Sequence, residues 1–490
     1  MSTQPTTVFL PTFTSANRAL DDAFRIALGD IHGNTRWYRE GLLDEPRPCL
    51  MAGLDYNTPW TRDAAINVWN AGVLLGEEVC RDTLLCVLAR KDGRVMIGGQ
   101  YWDAIIWAIG AWEHYLVTGD ADFLRVAYDA TRNSIDFFER TEFDAVTGLF
   151  RGPAVYGDGV AAYPDRYVPV PDRPSGILEW PKANPGLKAK SGYGVPMHAL
   201  STNCVYARVY DLATRMASEL KATGDRSWPA KAEHLRAQIN AHFWDAERET
   251  YRYLVDAEGG CDRQEGMGLA FALLFGVADP NRAAVVCANA HRTAAGMPCA
   301  WPTYERYASI DPGRSYGRHS GTVWPHVQGF WADACSRAGR NDLAFAELDL
   351  LANAASRDAH FTEILHPDTG LPYGGVQEHG PRGMRLWESC RRQTWSATAY
   401  LRVLLRVVLG MTADPDGLSF APALPPGVES VAIDGLRYRG ASVSVEVHGR
   451  GARIVRCDVD GRPSERAVVA AQGPEAAGDG RVAIRIEVEP

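Results

Sequence analysis

The segment HALSTNCVYARVYDLATRMASELKATGDRSWPAKAEHLRAQINAHFW, residues 198–244, carries the pattern that decides the fold. Apolar residues recur at spacings of three and four on both sides of a short polar link, which predicts two helices, 198–222 and 227–244, joined as a hairpin. The same periodicity predicts ten more helices along the chain: 15–29, 63–78, 80–90, 103–118, 121–141, 263–275, 280–293, 321–337, 340–356 and 393–410.

The connections between these helices alternate in length. Short links such as TGDAD (118–122) and RAGRND (337–342) follow even-numbered helices. The long loops follow odd-numbered helices and cover 30–62, 91–102, 142–197, 245–262, 294–320 and 357–392. Loops of this length in a compact domain are usually functional. We therefore predict a mainly α fold, an (α/α)6 barrel of six hairpins, with every long loop at one end above an inner ring of even-numbered helices.

The sequence pattern changes from helical periodicity to alternation after residue 411. A stretch rich in Pro and Gly leads into alternating segments such as ASVSVEVHG (441–449) and RVAIRIEVEP (481–490). Alternation with glycine turns is typical of β-hairpins. The sequence thus predicts two domains, a barrel at 1–411 and a small β-sandwich-like domain at 412–490.

Composition excludes several partners. A net charge of −9 and a pI near 5.8 argue against binding to nucleic acid or anionic lipid. The chain has no run of about 18 apolar residues and no basic segment followed by an apolar one at its start, so we expect no membrane span, no secretory signal and a cytoplasmic location. Its ten cysteines lack a C-x-x-C pair, which favours free buried thiols over disulfides or a zinc site.

The chain contains 14 Trp and 19 Tyr, which suits either a large aromatic core or a sugar-binding cleft. Two long loops end in an aromatic residue and an Asp, LDYNTPWTRDAAINVW (54–69) and GGQYWDAIIWAI (98–109). Asp63 and Asp103 either bind sugar hydroxyls or cap their helices. The candidate carbohydrate-binding residues are Tyr56, Trp60, Arg62, Asp63, Gln100, Trp102, Asp103, Trp180, His319, Trp324, Trp387 and Gln393.

Cleavage of a glycosidic bond needs two carboxyl groups, one to protonate the leaving oxygen and one to activate water or attack directly. The third long loop offers Asp158 between Gly157 and Gly159, which is either a ligand-facing residue or an ordinary turn, with Asp165 as the alternative. The sixth long loop offers Glu363, Glu378 and Glu388. Residue patterns alone locate the cleft and leave the catalytic pair open.

The chain resembles the six-hairpin glycosidases over residues 50–411, above all glycoside hydrolase family 63, which includes processing α-glucosidase and the mannosylglycerate and glucosylglycerate hydrolases. TEILHPDTG (362–370) is similar to the family segment W-E-N-Y-D-P-x-T-G. WTRDAAI (60–66) and YWDAIIW (101–107) look like its substrate-binding loop ends, and QTWSATAYL (393–401) like the start of its last helix. LPPGVESVAIDGLRYRG (424–440) is similar to C-terminal domains of rhamnosidase-like and phosphorylase-like members.

The resemblance implies roles for two carboxylates. Glu363 takes the place of the general base. Asp158 takes the place of the general acid, although GPAVYGDGVAAYP (152–164) differs from the family's E-S-G-x-D-N-S-P. An exo-acting, inverting hydrolase of a small soluble α-glycoside, resembling an α-glucoside, follows as the expectation. Two carboxylates suffice for this chemistry, so no metal or organic cofactor is expected.

Three other functions fit the same fold. An inverting phosphorylase would use phosphate in place of water, held by Arg318, His319 and His326. A sugar epimerase would use histidines or other bases instead of a carboxylate pair. A non-catalytic sugar-binding protein would bind without turnover.

Overall fold

The computed structural model describes residues 10–168, 173, 175–224, 226–471 and 480–490. These residues contain twelve helices of nine or more residues, numbered here in chain order: α1 (Arg18–Gly33), α2 (Thr61–Ala71), α3 (Glu77–Leu85), α4 (Trp107–Thr118), α5 (Ala121–Thr141), α6 (Leu200–Glu219), α7 (Trp228–Phe243), α8 (Gly266–Leu274), α9 (Pro280–Asn289), α10 (Pro325–Arg337), α11 (Asn341–Asp358) and α12 (Thr394–Val403). Each one corresponds to a predicted helix. Two single turns, Trp180–Ala183 and Glu305–Ala308, lie in long loops.

Several helix boundaries differ from the prediction, and three of the differences have a cause in the local sequence or backbone. Helix α10 begins at Pro325, since proline is favoured in the first helical turn and disfavoured beyond it. Helix α2 stops at Ala71, and the chain passes into a 3₁₀ turn at Gly72–Leu74. Helix α12 ends its regular hydrogen bonding at Val403 and continues as a π-helical turn, Leu404–Val408.

The six even-numbered helices form a closed cycle. Each contacts the next even-numbered helix, and α12 contacts α2. Every residue of α2 is buried, and α8 reads GMGLAFALL, as expected for helices enclosed on all sides. The odd-numbered helix α5, in contrast, buries one face and exposes the other. Burial on all sides therefore distinguishes the inner helices from the outer ones.

Small residues bring neighbouring inner helices close together. A side chain at Gly110 of α4 would lie 2.6 Å from the backbone oxygen of Ala65 on α2, and one at Gly329 of α10 would lie 2.8 Å from Ala399 on α12. Each of these contacts needs a residue without a Cβ.

A buried charge network fills the space between the inner helices away from the long loops. The guanidinium of Arg402 lies 2.5 Å from a carboxylate oxygen of Asp333 and donates to Asn70 at 2.9 Å. It also lies over the rings of Trp69 and Phe330, each 4.3 Å away. The aromatic rings and the ion pair together close this end of the cycle.

Short antiparallel strand pairs shape the long loops. Five are hairpins within one loop: Thr35–Tyr38 with Arg47–Leu50, Leu88–Lys91 with Arg94–Ile97, Phe143–Asp144 with Leu149–Phe150, Trp244–Asp245 with Thr250–Tyr251, and Val376–Glu378 with Met384–Leu386. Two join different segments: His198–Ala199 with Leu254–Val255, and Gln264–Glu265 with Ala300–Trp301. The hairpin at Leu88 explains why α3 ends before the predicted residue 90.

Two sheets make up the β region after α12. Its strands are β2 (Thr412–Asp414), β3 (Gly417–Ser419), β4 (Ser430–Tyr438), β5 (Ala441–Gly449), β6 (Arg453–Val459), β7 (Arg462–Pro463), β8 (Val468–Ala470) and β9 (Arg481–Glu489), preceded in the chain by β1 (Thr12–Ser15). The sheet orders are β1-β4-β5-β9-β6-β7 and β2-β3-β8, and β5 and β9 run parallel.

The N-terminal strand β1 was not predicted. It pairs antiparallel with β4, so residues 12–15 belong to the C-terminal sheet although they precede the first helix. The division into domains near residue 411 stays a prediction.

Each of the ten cysteines lies in the described part of the chain, where all are buried and free of disulfides. This result agrees with the prediction of buried thiols. Among the helices in the described ranges, none is both long and apolar enough to cross a membrane.

Replacing Arg402 by Ala should lower the free energy of unfolding by about 3 kcal/mol, because Asp333 would lose its fully buried partner and keep only Arg337, which is 51% exposed at its side chain. Urea denaturation measures this change. Arg125→Ala removes an exposed helical ion pair with Asp122 and should cost at most about 1 kcal/mol. Equal losses in the two variants would contradict the importance of the buried network.

Candidate active site

The first residues of the inner helices meet at the ends of the long loops. Arg62, in the first turn of α2, donates to Asp103 at 3.0 Å just before α4. Its guanidinium also lies 5.4 Å from the ring of Trp395, at the start of α12. Ser201 at the start of α6 contacts Glu265, which precedes α8. Residues far apart in sequence thus line one region, as the loop lengths predicted.

Three hydrogen bonds hold the carboxylate of Glu363, whose residue is only 2% exposed. The Tyr56 hydroxyl donates to Oε1 at 2.7 Å. Arg318 and the backbone N–H of Cys390 donate to Oε2 at 3.0 Å and 3.3 Å. Burial and the charge of Glu363 raise the pKa of Tyr56, which keeps the hydroxyl a donor. The carboxylate therefore has a fixed orientation.

A buried cluster of opposite charges lies beside Glu363. Burial raises the pKa of Asp63 to about 7, against the effect of Arg62, and the charges of Glu363 and Asp158 raise it further. Burial likewise raises the pKa of Asp103 to about 7. Because Asp158 influences both carboxyls, all of these groups share one electrostatic environment.

Asp158 lies in a half-buried position between two glycines. Within the described residues, its carboxylate makes neither a hydrogen bond nor an ion pair, which distinguishes it from Glu363. Its charge acts on Arg62 and Arg318 as well as on Asp63 and Asp103. Asp158 is thus close to the buried cluster and still unengaged.

Several buried polar atoms in this region have no hydrogen-bond partner among the described residues. They are the Nε of Arg62, the Oδ1 of Asp103, the indole nitrogens of Trp102 and Trp395, the Nδ1 of His319, both ring nitrogens of His326, and the Oε1 of Gln393. Buried polar groups are rarely left unpaired in proteins. A fan of donors and acceptors of this kind matches the hydroxyl groups of a sugar.

Aromatic rings connect these polar atoms. His319 stacks on Trp324 with ring centres 4.7 Å apart, and His326 stacks on Trp395 at 4.0 Å. Trp324 and Trp395 meet edge to face at 5.7 Å. Sequence reasoning did not select Trp395, although it starts an inner helix just as Trp102 and Trp324 precede theirs.

The remaining residues that were predicted to bind carbohydrate differ in exposure and in contacts. Trp60 is 45% exposed and directly precedes α2. Trp387 lies over Arg318, with the guanidinium 5.6 Å from its ring. Gln100 is half-buried before α4. The indole N–H of Trp180 donates to the Arg166 carbonyl and its ring packs on Tyr167, so this residue is engaged within the third loop.

The alternative carboxylates are bound elsewhere or exposed. Asp165 is 73% exposed at its side chain and pairs with Arg306 at 2.5 Å. Glu378 accepts from the same Arg306 at 3.0 Å and from Tyr307 at 2.7 Å. Glu388 is exposed. As candidates for the catalytic pair, their contacts favour Asp158 over Asp165, and Glu363 over Glu378 and Glu388.

The three residues considered as phosphate ligands do not form a cationic group. Arg318 binds Glu363. Burial lowers the pKa of His319 and His326 well below the usual 6.5, and nearby arginines lower it further, so both rings are neutral at pH 7. Among the described residues, no group of three or more His, Cys, Asp or Glu side chains is placed to hold a metal ion.

Comparison with known families assigns the chain to a class of enzymes. The family model described as "Mannosylglycerate hydrolase MGH1-like glycoside hydrolase domain" matches residues 103–396, which is 294 of the 490 residues. The chain therefore belongs to this family of glycoside hydrolases. The matched region contains both Asp158 and Glu363. Residues 411–463 match the model of the C-terminal domain of glycosyl hydrolase family 65, in agreement with a C-terminal β domain.

Solved structures share the fold at low sequence identity. A sialidase matches with a TM-score of 0.66 at 13% identity over 95% of this chain, which spans 42% of the sialidase. The family 63 mannosylglycerate hydrolase of Thermus thermophilus, in complex with Tris and D-glycerate, matches with a TM-score of 0.55 at 17% identity over 78% of this chain and 99% of its own.

A third match is the α-L-rhamnosidase of Streptomyces avermitilis, complexed with L-rhamnose. It gives a TM-score of 0.55 at 14% identity and covers 90% of this chain, which spans 37% of the rhamnosidase. No curated protein is significantly similar in sequence. The resemblance to six-hairpin glycosidases of the family 63 type is confirmed.

The buried acids predict a pH dependence of stability. The pKa of Asp103 is raised from 3.8 to about 7 by burial, so the folded protein keeps a proton that the unfolded chain loses above pH 4. The free energy of unfolding should therefore fall as the pH rises from 4 to 7. Asp103→Asn should reduce this fall by an amount on the order of 4 kcal/mol.

Urea denaturation at pH 4 and pH 7 measures the effect. Asp122→Asn is the control because Asp122 is an exposed acid, 94% exposed at its side chain. It should keep the pH slope of the unsubstituted protein. An unchanged slope in Asp103→Asn would contradict the raised pKa.

Proposed function

We propose that the protein is an inverting, exo-acting glycoside hydrolase that cleaves a small soluble α-glycoside in the cytoplasm. The even-numbered helices would form the inner wall of an (α/α)6 barrel, and the long loops would form its active-site end. Asp158 would be the general acid and Glu363 the general base. An α-glucoside or similar sugar is the proposed substrate class.

The fixed carboxylate of Glu363 carries this proposal. A general base must hold water in one direction, and donors from Tyr56, Arg318 and Cys390 orient Glu363 in this way. The neighbouring unpaired polar atoms would bind the sugar whose anomeric carbon receives the water.

The unpaired carboxyl group of Asp158 suits the role of general acid. A general acid must be free to reach the leaving oxygen. Asp158 has no hydrogen-bond partner for its carboxylate in the described parts of the chain, yet backbone contacts fix its loop. Its carbonyl accepts from Ile177 at 2.9 Å, and the preceding Gly157 carbonyl accepts from Tyr163 at 2.5 Å. The backbone is thus held while the carboxyl group faces no competing partner.

Glu363→Gln and Asp158→Asn should each lower kcat by about 10²–10⁴-fold, because each removes a proton-transfer group. The assay is hydrolysis of a panel of α-glucosides, α-mannosides and α-rhamnosides. Calorimetry should show that Glu363→Gln still binds the sugar. Glu388→Gln, an exposed acid of the same loop, should keep full activity. Retained turnover in Glu363→Gln would discard its assignment as the base.

The stereochemistry of the first product tests the inverting mechanism. An α-glycoside should release the β-anomer, which proton NMR detects before mutarotation. Turnover should not depend on added phosphate, since His319 and His326 are neutral and Arg318 is engaged by Glu363. Release of the α-anomer would indicate a retaining enzyme, and a requirement for phosphate would indicate a phosphorylase.

A further inference from the structure

Side chains from outside the segment hold residues 153–158, here called the acid loop, almost residue by residue. Thr202 donates to the Pro153 carbonyl at 2.5 Å. The backbone N–H of Ala154 donates to the Tyr163 hydroxyl at 2.9 Å. Tyr156 donates through its hydroxyl to the Cys299 carbonyl at 3.1 Å. The acid loop therefore takes its shape from other parts of the chain.

Val155 is the centre of this arrangement. Its carbonyl accepts from Arg62 at 3.1 Å, which ties the loop to the buried charge cluster. Its N–H donates to the Ser201 hydroxyl at 3.0 Å. Three residues after Val155 comes Asp158, so the position of this peptide bears directly on where the carboxyl group lies.

Ser201 is held in turn by Glu265, a residue with 0% exposure. The Ser201 N–H donates to Glu265 Oε2 at 3.1 Å. A chain of contacts thus runs from Glu265 through Ser201 to the Val155 N–H and the acid loop.

The burial of Glu265 needs an explanation. A buried carboxyl group costs several kcal/mol unless it is fully paired, and Glu265 Oε1 has no partner among the described residues. Burial raises the pKa of Glu265 to about 8, although Ser201 lowers it. An apolar residue of similar size would avoid this cost, so a requirement other than stability accounts for the acid.

We infer that Ser201 and Glu265 are positioning residues for the general acid: Glu265 accepts from the Ser201 backbone N–H and so holds this residue in place, and the Ser201 hydroxyl accepts from the Val155 N–H and so sets the acid loop. This inference rests on the proposed role of Asp158. Glu265 is placed to act through Ser201 and the loop backbone, with no part in the transfer of the proton itself. Loss of either residue should displace the carboxyl group of Asp158 and leave the contacts of Glu363 intact.

The leaving group distinguishes this role from general stabilisation. Departure of an alkoxide needs a proton from the acid, whereas departure of fluoride needs little assistance. The test compares hydrolysis of an alkyl α-glycoside with that of the α-glycosyl fluoride of the same sugar. Ser201→Ala and Glu265→Leu should lose about 10- to 100-fold in kcat on the alkyl glycoside and at most a few-fold on the fluoride. Asp158→Asn should give the same pattern more strongly.

Two further variants complete the design. Glu265→Gln keeps an oxygen that accepts from the Ser201 N–H, and it should restore most of the activity lost in Glu265→Leu. Glu347→Leu removes another acid with 0% exposure, which pairs with Arg292 and Gln328 away from the acid loop. It should lower stability and affect both substrates equally. Equal losses on the two substrates in Ser201→Ala, or no loss, would overturn the inference.

Hydrogen–deuterium exchange provides a readout that does not need turnover. Amides of residues 154–158 should exchange faster in Ser201→Ala and Glu265→Leu than in the unsubstituted protein, and in Glu347→Leu their exchange should not change. If the unsubstituted protein hydrolyses neither substrate, the proposed function fails, and exchange still decides whether this pair holds the loop. Unchanged exchange in Ser201→Ala would contradict the anchoring itself.

Discussion

The guanidinium of Arg62 is buried and contacts three segments besides its own helix. It donates to Asp103 of the second long loop and to the Val155 carbonyl of the third, and it lies over Trp395 at the start of α12. A buried cation is costly unless acids compensate it. The carboxylates of Asp103, Asp158 and Asp63 raise its pKa against the effect of burial. The geometry of the cleft therefore depends on keeping this single charge paired.

The closed cycle of inner helices makes that pairing possible. Arg62 and Asp103 come from consecutive long loops, and they meet because α2 and α4 approach closely where Gly110 faces Ala65. At the opposite end of the cycle, Arg402 of α12 and Asp333 of α10 close the space with another buried pair. Buried ion pairs thus lie at both ends of the inner helices, Arg62 with Asp103 at the loop end and Arg402 with Asp333 at the other. The pair at the loop end adjoins polar atoms left without partners, which suits an end that receives a ligand.

Apolar periodicity predicted the helices well, because inner helices are buried on all sides and outer helices on one face. Both kinds of burial leave a strong apolar pattern in the sequence. The errors lie where a local residue overrides it, as at Gly72 and Pro325, and at β1, whose sequence TFTS is too short and too polar to indicate a strand. Position at the start of an inner helix was the basis for proposing Arg62, Asp63 and Asp103 as binding residues, and the structure brings these three into one buried cluster. Family resemblance, and no residue pattern, indicated Glu363.

The contacts that tune the site could not be predicted from the sequence. Tyr56 and Glu363 are 307 residues apart, and only the folded chain brings them together. Arg318 was considered as a phosphate ligand, whereas the structure pairs it with Glu363. Glu265 stands before an apolar helix, and its partner Ser201 lies 64 residues earlier, so nothing local distinguishes it. Ion pairs and hydrogen bonds across long separations leave no periodic signal.

The charge balance of the cleft bears on the chemistry it favours. Four carboxyl groups, those of Asp63, Asp103, Asp158 and Glu363, surround the two guanidiniums of Arg62 and Arg318. An anionic ligand such as phosphate would meet this excess of acids without a free cation among the residues described around it. A neutral sugar adds no charge, and its cleavage develops positive charge at the anomeric carbon. Ionised acids beside that carbon would stabilise the transition state more than the ground state, which is what the roles proposed for this cleft require.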